Sequence, residues 1–316
     1  MAHNQIQFQV GLSLPEFTKL YSREESCREY LIKSRWPKGY SCDECGHKEA
    51  CRFNRGRRLM FECKNCSHQC SLTSGTLFER THLPLTLWFL AFYLISQAKN
   101  SLSALELHRH LGINYKSAWL MKHKIMQLMY EGDQEYKLTG RIEIDDAYLG
   151  GKLEGGGPGR GSSNKSPFIA AIQTDEDKHP LYARFTPVAS FSNQAVKDWA
   201  ESNLGGSVHT VTDGLACFNA LAEYGTHEVH VVNKEGHKGT EKVFYWVNTV
   251  LSNVKTSLTG TFHSLKFNKY GFRYLADLQF RFNRRFNLRK LFFSLVKRSV
   301  LHSTYTRKTL ETALTG

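Results

Sequence analysis

The sequence has no apolar run long enough to cross a membrane. Its longest run, from Leu83 to Ala98, is interrupted by a proline and by polar residues, whereas a transmembrane helix needs about 20 mostly apolar residues. The residues that follow Met1 contain no apolar core of a secretory signal peptide either. We therefore expect a cytoplasmic protein with no membrane partner.

A nucleotide-binding loop is also missing. The segment 150–166 is rich in Gly, Ser and Lys, but it contains neither a Gly-Lys-Ser/Thr ending nor a G-x-G-x-x-G pattern. We interpret this segment as the connection of a hairpin.

Acidic residues are scarce relative to basic ones. The chain has 29 Asp and Glu residues against 42 Lys and Arg residues, a formal net charge of +13 and a pI near 9.3. Such an excess favours polyanionic partners, with nucleic acid first and an anionic membrane surface second. At 316 residues, the chain is long enough for two or more domains, each with its own core.

Eight cysteines are present, and four of them have the spacing of metal ligands. In a reducing compartment such spacing indicates metal ligation rather than disulfides. The pairs Cys42-x2-Cys45 and Cys63-x2-Cys66 can close a tetrahedron of thiolates on Zn²⁺, as in a zinc ribbon. Cys70 lies outside this spacing, and we interpret it as a small core residue.

Between the two cysteine pairs lies a basic segment that we interpret as a hairpin tip. Arg55, Arg57 and Arg58 are its candidates for contacts with DNA phosphates. A solvated turn would have the same residues, and the basic composition of the whole chain favours the phosphate contacts.

Two helices are expected between Ser101 and Met129, with a break at Gly112. The second carries basic residues, including Lys116 and Lys122, and the pattern is that of a helix-turn-helix whose second helix enters a major groove. An ordinary helical hairpin with a solvated basic face would give the same pattern.

The segment from Ile142 to Gly151 alternates apolar and acidic residues, which predicts a strand. Residues two apart share a face of a strand, so Glu143 and Asp145 point the same way. Two adjacent carboxylates repel each other unless a cation lies between them, and hard oxygen ligands suit Mg²⁺ or Mn²⁺. The alternative is a solvated strand edge that ends in a Gly-Gly turn.

A second acidic strand follows at Val208–Gly214. Its Asp213 comes at the carboxyl end of the predicted strand, where the sites of α/β sheets collect, although an isolated aspartate there is more often a turn residue. Farther on, the segment 244–258 predicts a helix on which Asn248 and Lys255 share one face.

Taken together, these segments resemble the bacterial insertion-sequence transposases of the ISXO type, which pair a zinc ribbon with an RNase H-like domain of the DDE superfamily. The resemblance runs from about Phe17 to Asn287. It depends on the two cysteine pairs and on the segments 73–78, 81–85, 143–151, 212–214 and 280–285.

The resemblance implies a catalytic role for four residues. The first and second catalytic aspartates of the family match Asp145 and Asp213. Its third acidic position is followed seven residues later by a lysine, and this spacing matches Asn248 and Lys255. The match departs from three carboxylates, because an asparagine offers a carbonyl oxygen without charge, although asparagine is among the variants that the family accepts.

Two further carboxylates are candidates to compensate for this uncharged position. Glu143 shares the face of Asp145 and is expected to support the bound ions. Glu241 is a weaker candidate because it misses the lysine spacing.

The expected fold class is α/β, with an RNase H-like catalytic domain preceded by a zinc ribbon and a helical, helix-turn-helix-like domain. The expected boundaries are a helical lead-in at 1–40, the zinc ribbon at 41–75, the helix-turn-helix-like region at 76–130, the catalytic domain at 138–300 and a tail at 301–316.

The function that the resemblance implies is that of a DNA transposase. It would bind the terminal inverted repeats of an insertion sequence and catalyse Mg²⁺-dependent strand cleavage and transfer. The implied cofactors are a structural Zn²⁺ and two Mg²⁺ or Mn²⁺ ions. The implied partners are double-stranded DNA, as repeats and as target, and further copies of the chain assembled on it at the bacterial nucleoid.

Two other functions stay open at the level of sequence. One is a catalytically inactive DNA-binding regulator derived from a transposase, which Asn248 supports best. The other is an RNase H or nuclease that cuts without joining strands.

Overall fold

The structure, a computed structural model, describes residues 10–150, 165–230, 244–262 and 265–312. The chain divides into two compact units. The first comprises Met1–Leu128 with Arg284–Leu310, and the second comprises Met129–Asn283 with Glu311–Gly316. Among the described residues, no helix is both long enough and apolar enough to span a bilayer.

The described residues form the following elements. The helices are α1 Leu14–Tyr21, α2 Glu24–Arg35, α3 Leu85–Gln97, α4 Ala104–Leu111, α5 Tyr115–Gly132, α6 Asn193–Asn203, α7 Tyr245–Thr261, α8 Phe267–Asn283, α9 Leu288–Leu301 and α10 Arg307–Glu311, with a 3-10 helix at Ala216–Glu223. The strands are β1 Ala50–Arg55, β2 Arg58–Cys63, β3 Gln69–Ser71, β4 Leu138–Leu149, β5 Ser166–Thr174, β6 Pro180–Pro187, β7 Leu204–Thr212 and β8 Gly225–Val229.

The first unit contains a small antiparallel sheet in the order β1-β2-β3, as expected of a zinc ribbon.

Helices α4 and α5 are separated by a break at Gly112, which adopts the left-handed conformation (φ +63°) that favours glycine at a helix end. A capping box of Ser103 and Glu106 starts α4. The predicted pair of helices with a break at Gly112 is therefore confirmed.

Aromatic side chains from α1, α3 and α9 form the core of this unit. Phe292 of α9 packs at 5.3 Å from Tyr21 and at 5.9 Å from Phe89, and Phe17 stacks on Tyr93 at 4.5 Å between ring centroids. The burial of these rings assigns α9 to the first unit, so the chain is divided differently from the expected domain 138–300.

The second unit is built on a five-stranded mixed sheet in the order β6-β5-β4-β7-β8. The central strand β4 pairs antiparallel with β5 and parallel with β7. Ile142 and Ile144 of β4 are fully buried in a core that includes Trp199 of α6 and Phe218 of the 3-10 helix. The expected α/β fold is confirmed, with the ribbon ahead of the sheet in the chain.

The edge strand β6 is covered by α8 rather than left open. Gln279 accepts a hydrogen bond from the backbone N–H of Phe185 at 2.9 Å, and Asn283 accepts one from that of Ala183 at 2.7 Å. Because these amides satisfy backbone groups of an edge strand, they remove sites at which another strand could pair.

Candidate active site and zinc knuckles

Parallel pairing of β4 and β7 brings two distant aspartates to the same edge of the sheet. The last paired residues are Ile144 and Thr212. Asp145 and Asp213 each follow next on their own strand, so they emerge side by side, as expected for residues at the carboxyl end of a sheet.

Three carboxylates gather at this edge. Oxygen atoms of Asp145, Asp146 and Asp213 all lie within 4.8 Å of one another, and all three residues are half-buried. Asp213 is held in a turn, since its Oδ1 accepts the backbone N–H of Leu215 at 3.2 Å. Close carboxylate oxygens are the ligands that Mg²⁺ and Mn²⁺ prefer, so the residues present fit a divalent cation.

The electrostatics of this cluster disfavour full ionisation. Burial, followed by repulsion from Asp213 and Asp146, raises the pKa of Asp145 from 3.8 to about 7. The charge of Lys255 acts in the opposite direction and lowers this pKa. Without a cation at the cluster, Asp145 therefore retains its proton well above the ordinary pH range of a carboxyl group.

Glu143 has a role that differs from the expected support of the metal ions. Its side chain is fully buried, and its Oε2 accepts the backbone N–H groups of Trp246 and Val247 at 2.9 and 3.0 Å, while its Oε1 accepts Nη1 of Arg141 at 2.9 Å. It is absent from the carboxylate group found among the described residues. Glu143 thus caps the N-terminus of α7, where a negative charge is favourable.

Helix α7 carries the other two residues singled out by the sequence. Lys255 is exposed on α7 and close enough to affect the pKa of Asp145. Asn248 is also exposed, and its Nδ2 donates to the carbonyl of Phe244 at 2.9 Å. In the structure the charge of Lys255 thus acts on Asp145, and Asn248 has a hydrogen-bond partner on its own helix. Glu241 lies outside the described residues.

Asp146 is the member of the cluster that the sequence did not indicate. Neighbouring residues of a strand point to opposite faces, so the alternating pattern paired Asp145 with Glu143 instead. Asp146 lies near the end of β4, three residues before its last residue, Leu149. A second carboxylate directly after Asp145 was the only sequence signal for it.

In the first unit, the four predicted zinc ligands come together. The sulfur atoms of Cys42, Cys45, Cys63 and Cys66 all lie within 4.8 Å, and the pairs Cys42–Cys66 and Cys45–Cys63 are each 3.6 Å apart. Tetrahedral Zn²⁺ with bonds of about 2.3 Å requires sulfur separations of about 3.8 Å. The residues present therefore fit a structural zinc ion.

The two cysteine knuckles have the same backbone geometry. In each, the first cysteine N–H donates to a histidine carbonyl at 2.9 Å, which is that of His47 for Cys42 and that of His68 for Cys63. Gly46 and Ser67 occupy equivalent left-handed positions, with φ of +71° and +58°. Ser67 adopts this unfavourable conformation because the second knuckle repeats the turn of the first.

The pKa values of two thiols in this cluster are shifted in opposite directions. The backbone N–H of His47 lowers the pKa of Cys45 to about 6. The backbone N–H of His68 lowers the pKa of Cys66. Hydrogen bonds with Cys45 and Cys42, together with burial, outweigh this effect and raise the pKa of Cys66 to about 12. Four crowded sulfurs cannot all be thiolates on their own, whereas a bound Zn²⁺ would stabilise all four as thiolates.

The expected DNA-contacting residues have different exposures. Arg55, Arg57 and Arg58 are exposed at the turn between β1 and β2, and Lys116 is exposed near the start of α5. Lys122 is only 2% exposed. A buried ammonium group cannot reach a phosphate, so Lys122 does not contribute to a DNA-contacting surface, contrary to the expectation from the sequence.

Two segments of the chain match known protein families. Residues 137–283 match the family model of the ISXO2-like transposase domain, and residues 22–69 match that of the transposase zinc-ribbon domain. A protein of Halobacterium salinarum, described as an uncharacterized protein in the transposable element ISH50, is 21% identical over 286 residues, which cover 81% of this chain and 94% of that protein.

Among solved structures, the chain is similar to that of a pre-cleavage Mos1 transpososome. The identity is 10%, the match covers 69% of this chain and 79% of the other, and the TM-score is 0.21. At that score the likeness carries no structural argument.

Proposed function

Because this chain carries an ISXO2-like transposase domain behind a transposase zinc ribbon, we propose that it is the DNA transposase of an insertion sequence. In this proposal it binds the terminal inverted repeats of the element and catalyses Mg²⁺-dependent strand cleavage and strand transfer. The observation that carries the proposal is the cluster of Asp145, Asp146 and Asp213, whose oxygen atoms lie within 4.8 Å of one another.

In the proposed site, the three aspartates hold divalent ions through their carboxylate oxygens. Two Mg²⁺ or Mn²⁺ ions bound there would activate a water molecule or a 3′-hydroxyl and stabilise the leaving oxygen. Asn248 would add a carbonyl oxygen to this set. It adds no charge, so the second ion would be held more weakly than by a third acidic residue at that position.

Lys255 has a separate proposed role at the same edge of the sheet. Its ammonium group already offsets part of the negative potential at Asp145. A DNA phosphate that approaches three carboxylates is repelled by them, and a lysine beside the cluster reduces this repulsion. Lys255 would therefore contact the phosphate and help to position the DNA end.

In the first unit, the proposed contacts to DNA come from the ribbon and from α5. Arg55, Arg57, Arg58 and Lys116 present exposed positive charge to phosphates. The structural zinc ion would hold the ribbon rigid, and the start of α5 would read bases as a recognition helix does.

We also propose that the chain acts as at least a dimer on DNA, at the nucleoid. Transposition cuts two ends of one element, so two copies of the site have to meet on the same DNA. Light scattering with and without duplexes that carry the repeats would show this assembly as a DNA-dependent doubling of protein mass.

The proposal is tested by cleavage of the element's own ends. Purified zinc-loaded protein is incubated with end-containing and scrambled duplexes in Mg²⁺, and nicked and joined products are resolved on denaturing gels. We expect specific nicking and joining by the wild type and the loss of both in Asp145→Asn and Asp213→Asn. Asp177→Asn is the matched control, because Asp177 is an exposed residue of the same unit between β5 and β6.

The alternatives give different products in this experiment. A wild-type protein that binds the ends but never nicks them in Mg²⁺ or Mn²⁺ is a DNA-binding regulator. Nicking without any joined product indicates a nuclease. Nicking that survives in both aspartate variants would refute the proposed site.

A further inference from the structure

The first unit contains an open cleft of which the proposed function uses only the arginines at the turn between β1 and β2. Its volume is about 880 Å³, and it is lined by residues of 22–28 at the start of α2, of 55–59 at the turn between β1 and β2, and of the segment 71–86. We call it the ribbon cleft. All of its lining residues belong to the first unit.

Positive charge dominates this lining. The basic residues that line the ribbon cleft are Arg28, Arg55, Arg57, Arg58, Arg80 and His82. The two carboxylates there, Glu24 and Glu79, are engaged elsewhere in the same wall. Glu24 accepts the backbone N–H groups of Leu85 and Thr86 at 3.1 and 3.2 Å, and Glu79 accepts that of Gly75 at 3.1 Å. Among the described residues, neither carboxylate forms an ion pair with Arg57 or Arg58 at the turn.

The guanidinium groups of Arg57 and Arg58 are available to a ligand. Both residues are exposed, and within the described part of the chain neither side chain has a hydrogen bond or an ion pair. The turn that carries them is fixed, because Nη2 of Arg28 donates to the carbonyl of Arg57 at 2.9 Å. Two free charges on an anchored turn can bind an anion with little loss of backbone freedom.

Arg80 supplies positive charge from another wall of the cleft. Its backbone is left-handed, with φ of +58°, which is uncommon for a residue with a side chain. Its side chain is 86% exposed and contacts Glu79 only at 3.6 Å. A strained conformation that presents an exposed arginine is the kind of outlier that accompanies a binding role.

The neutral part of the lining identifies the class of ligand. Hydroxyl groups are frequent there: Ser22, Ser71, Thr73, Ser74, Thr81 and Thr86. No Phe, Tyr or Trp side chain is among the described residues that line the cleft. Arginines with hydroxyls contact the phosphates of nucleic acids, whereas unpaired bases bind through stacking on aromatic rings. The lining therefore suits a sugar–phosphate backbone.

We propose that the ribbon cleft binds one phosphodiester backbone of a DNA duplex without reading its sequence. This inference rests on the proposed function for its choice of DNA as the polyanion, and it goes beyond it by adding Arg28, Arg80 and the hydroxyl-rich segment 71–86 to the contacting surface. The cleft would set the position of the protein on any duplex, and recognition of the repeats would come from other contacts.

The test measures DNA affinity as a function of salt. Full-length zinc-loaded protein is titrated into labelled end-containing and scrambled duplexes between about 50 and 200 mM salt, a range over which phosphate contacts change affinity strongly. The variants are Arg80→Gln and the double variant Arg57→Gln with Arg58→Gln. The control is Arg52→Gln, since Arg52 is exposed on β1 of the same hairpin, pairs with Glu29 at 3.4 Å and does not line the cleft.

We expect both cleft variants to lose affinity for the two duplexes by the same factor. The slope of log affinity against log salt should fall by about 0.9 for each phosphate contact removed. Arg52→Gln should match the wild type. Zinc content and thermal melting identical to those of the wild type would exclude misfolding as the cause.

Several results would refute the proposal that the ribbon cleft binds a DNA backbone. Cleft variants that bind like Arg52→Gln refute it, and so does a loss confined to the end-containing duplex. A wild type whose DNA is displaced by inorganic phosphate at constant ionic strength would have a site for small anions instead. Binding without nicking would refute only the proposed catalysis, whereas normal nicking with unchanged binding by the variants would refute only the cleft.

Discussion

Glu143 accepts a hydrogen bond from the backbone N–H of Val247 at 3.0 Å, and this bond ties the start of α7 to the central strand β4. The same carboxylate accepts the N–H of Trp246 and a guanidinium N–H of Arg141. Since α7 also carries Lys255, whose charge lowers the pKa of Asp145, the buried Glu143 fixes the helix that bears this lysine without itself being part of the acidic cluster.

The first prediction concerns the removal of this buried carboxylate. Glu143→Ala leaves Arg141 and two backbone N–H groups without their acceptor, and breaking such a buried pair costs about 3–5 kcal/mol. We expect a large loss in the free energy of unfolding of the second unit, measured by urea denaturation. Glu143→Gln keeps one acceptor oxygen, so its free energy of unfolding should fall by clearly less than that of Glu143→Ala.

The comparison of Gln with Ala distinguishes positioning from simple packing. If Glu143 positions α7, nicking by Glu143→Gln should fall mainly in kcat, with KM for DNA close to that of the wild type. Equal loss of stability in both variants would contradict a capping role, and so would a glutamine variant with wild-type kcat.

The second prediction follows from the pKa of Asp145. Its folded value of about 7 lies above its ordinary value of 3.8, so the folded chain binds a proton more tightly between these values. The stabilising effect is complete below pH 4 and is lost as the pH rises through 7. In buffer without Mg²⁺ or Mn²⁺, Asp145→Asn should therefore be more stable than the wild type at pH 8, by about 1 kcal/mol or more.

Two checks accompany this pH dependence. At pH 4 the difference between Asp145→Asn and the wild type should vanish, and adding Mg²⁺ at pH 8 should stabilise the wild type and leave the variant nearly unchanged. Asp177→Asn should show no such dependence. A variant with the same advantage at every pH would mean that ionisation of the buried Asp145 does not control stability.

The parts of this protein that sequence reasoning predicted are those with a fixed local geometry. The zinc knuckles follow from spacing alone, because two residues between cysteines suffice to turn the chain back onto one ion. The break at Gly112 follows from the left-handed helix end. Asp145 follows from the alternation of apolar and acidic residues along its strand, and Asp213 from the rule that sites collect at the carboxyl ends of strands.

The parts that sequence reasoning missed depend on packing between distant segments. Period-two alternation placed Glu143 on the correct face, but only the packing of α7 on β4 shows that its oxygens are engaged by a helix terminus. The burial of Lys122 and the place of α9 in the first unit are likewise tertiary effects. Local pattern cannot separate a solvated lysine from a buried one on the same helix.

The third prediction concerns the zinc ion. Wild-type protein should contain about one zinc per chain, bound by four thiolates. Cys63→Ser should lose it and melt at a lower temperature, because metal binding contributes directly to the folding of such small sheets. Cys51→Ser is the matched control, since Cys51 is exposed on β1 and outside the four-sulfur cluster. Zinc content equal in both variants would refute the assignment of ligands.

The last prediction decides which side chain joins Asp145 and Asp213 at the metal. Asp146 contributes a charged oxygen within 4.8 Å of theirs, whereas Asn248 is uncharged and its amide nitrogen bonds to the carbonyl of Phe244. Asp146→Asn should therefore weaken the binding of Mn²⁺, followed by electron paramagnetic resonance, about tenfold or more, which corresponds to about 1.4 kcal/mol. Asn248→Ala should weaken it less.

If Asn248→Ala weakens the binding of Mn²⁺ more than Asp146→Asn does, the third metal ligand is Asn248, as the family resemblance implies. In that case Asn248 would turn its carbonyl oxygen to the ion on binding, and Asp146 would only add negative potential. Salt separates these effects, because screening at high ionic strength reduces a long-range potential but leaves direct coordination intact. An affinity loss in Asp146→Asn that disappears at high salt would thus assign the third ligand to Asn248.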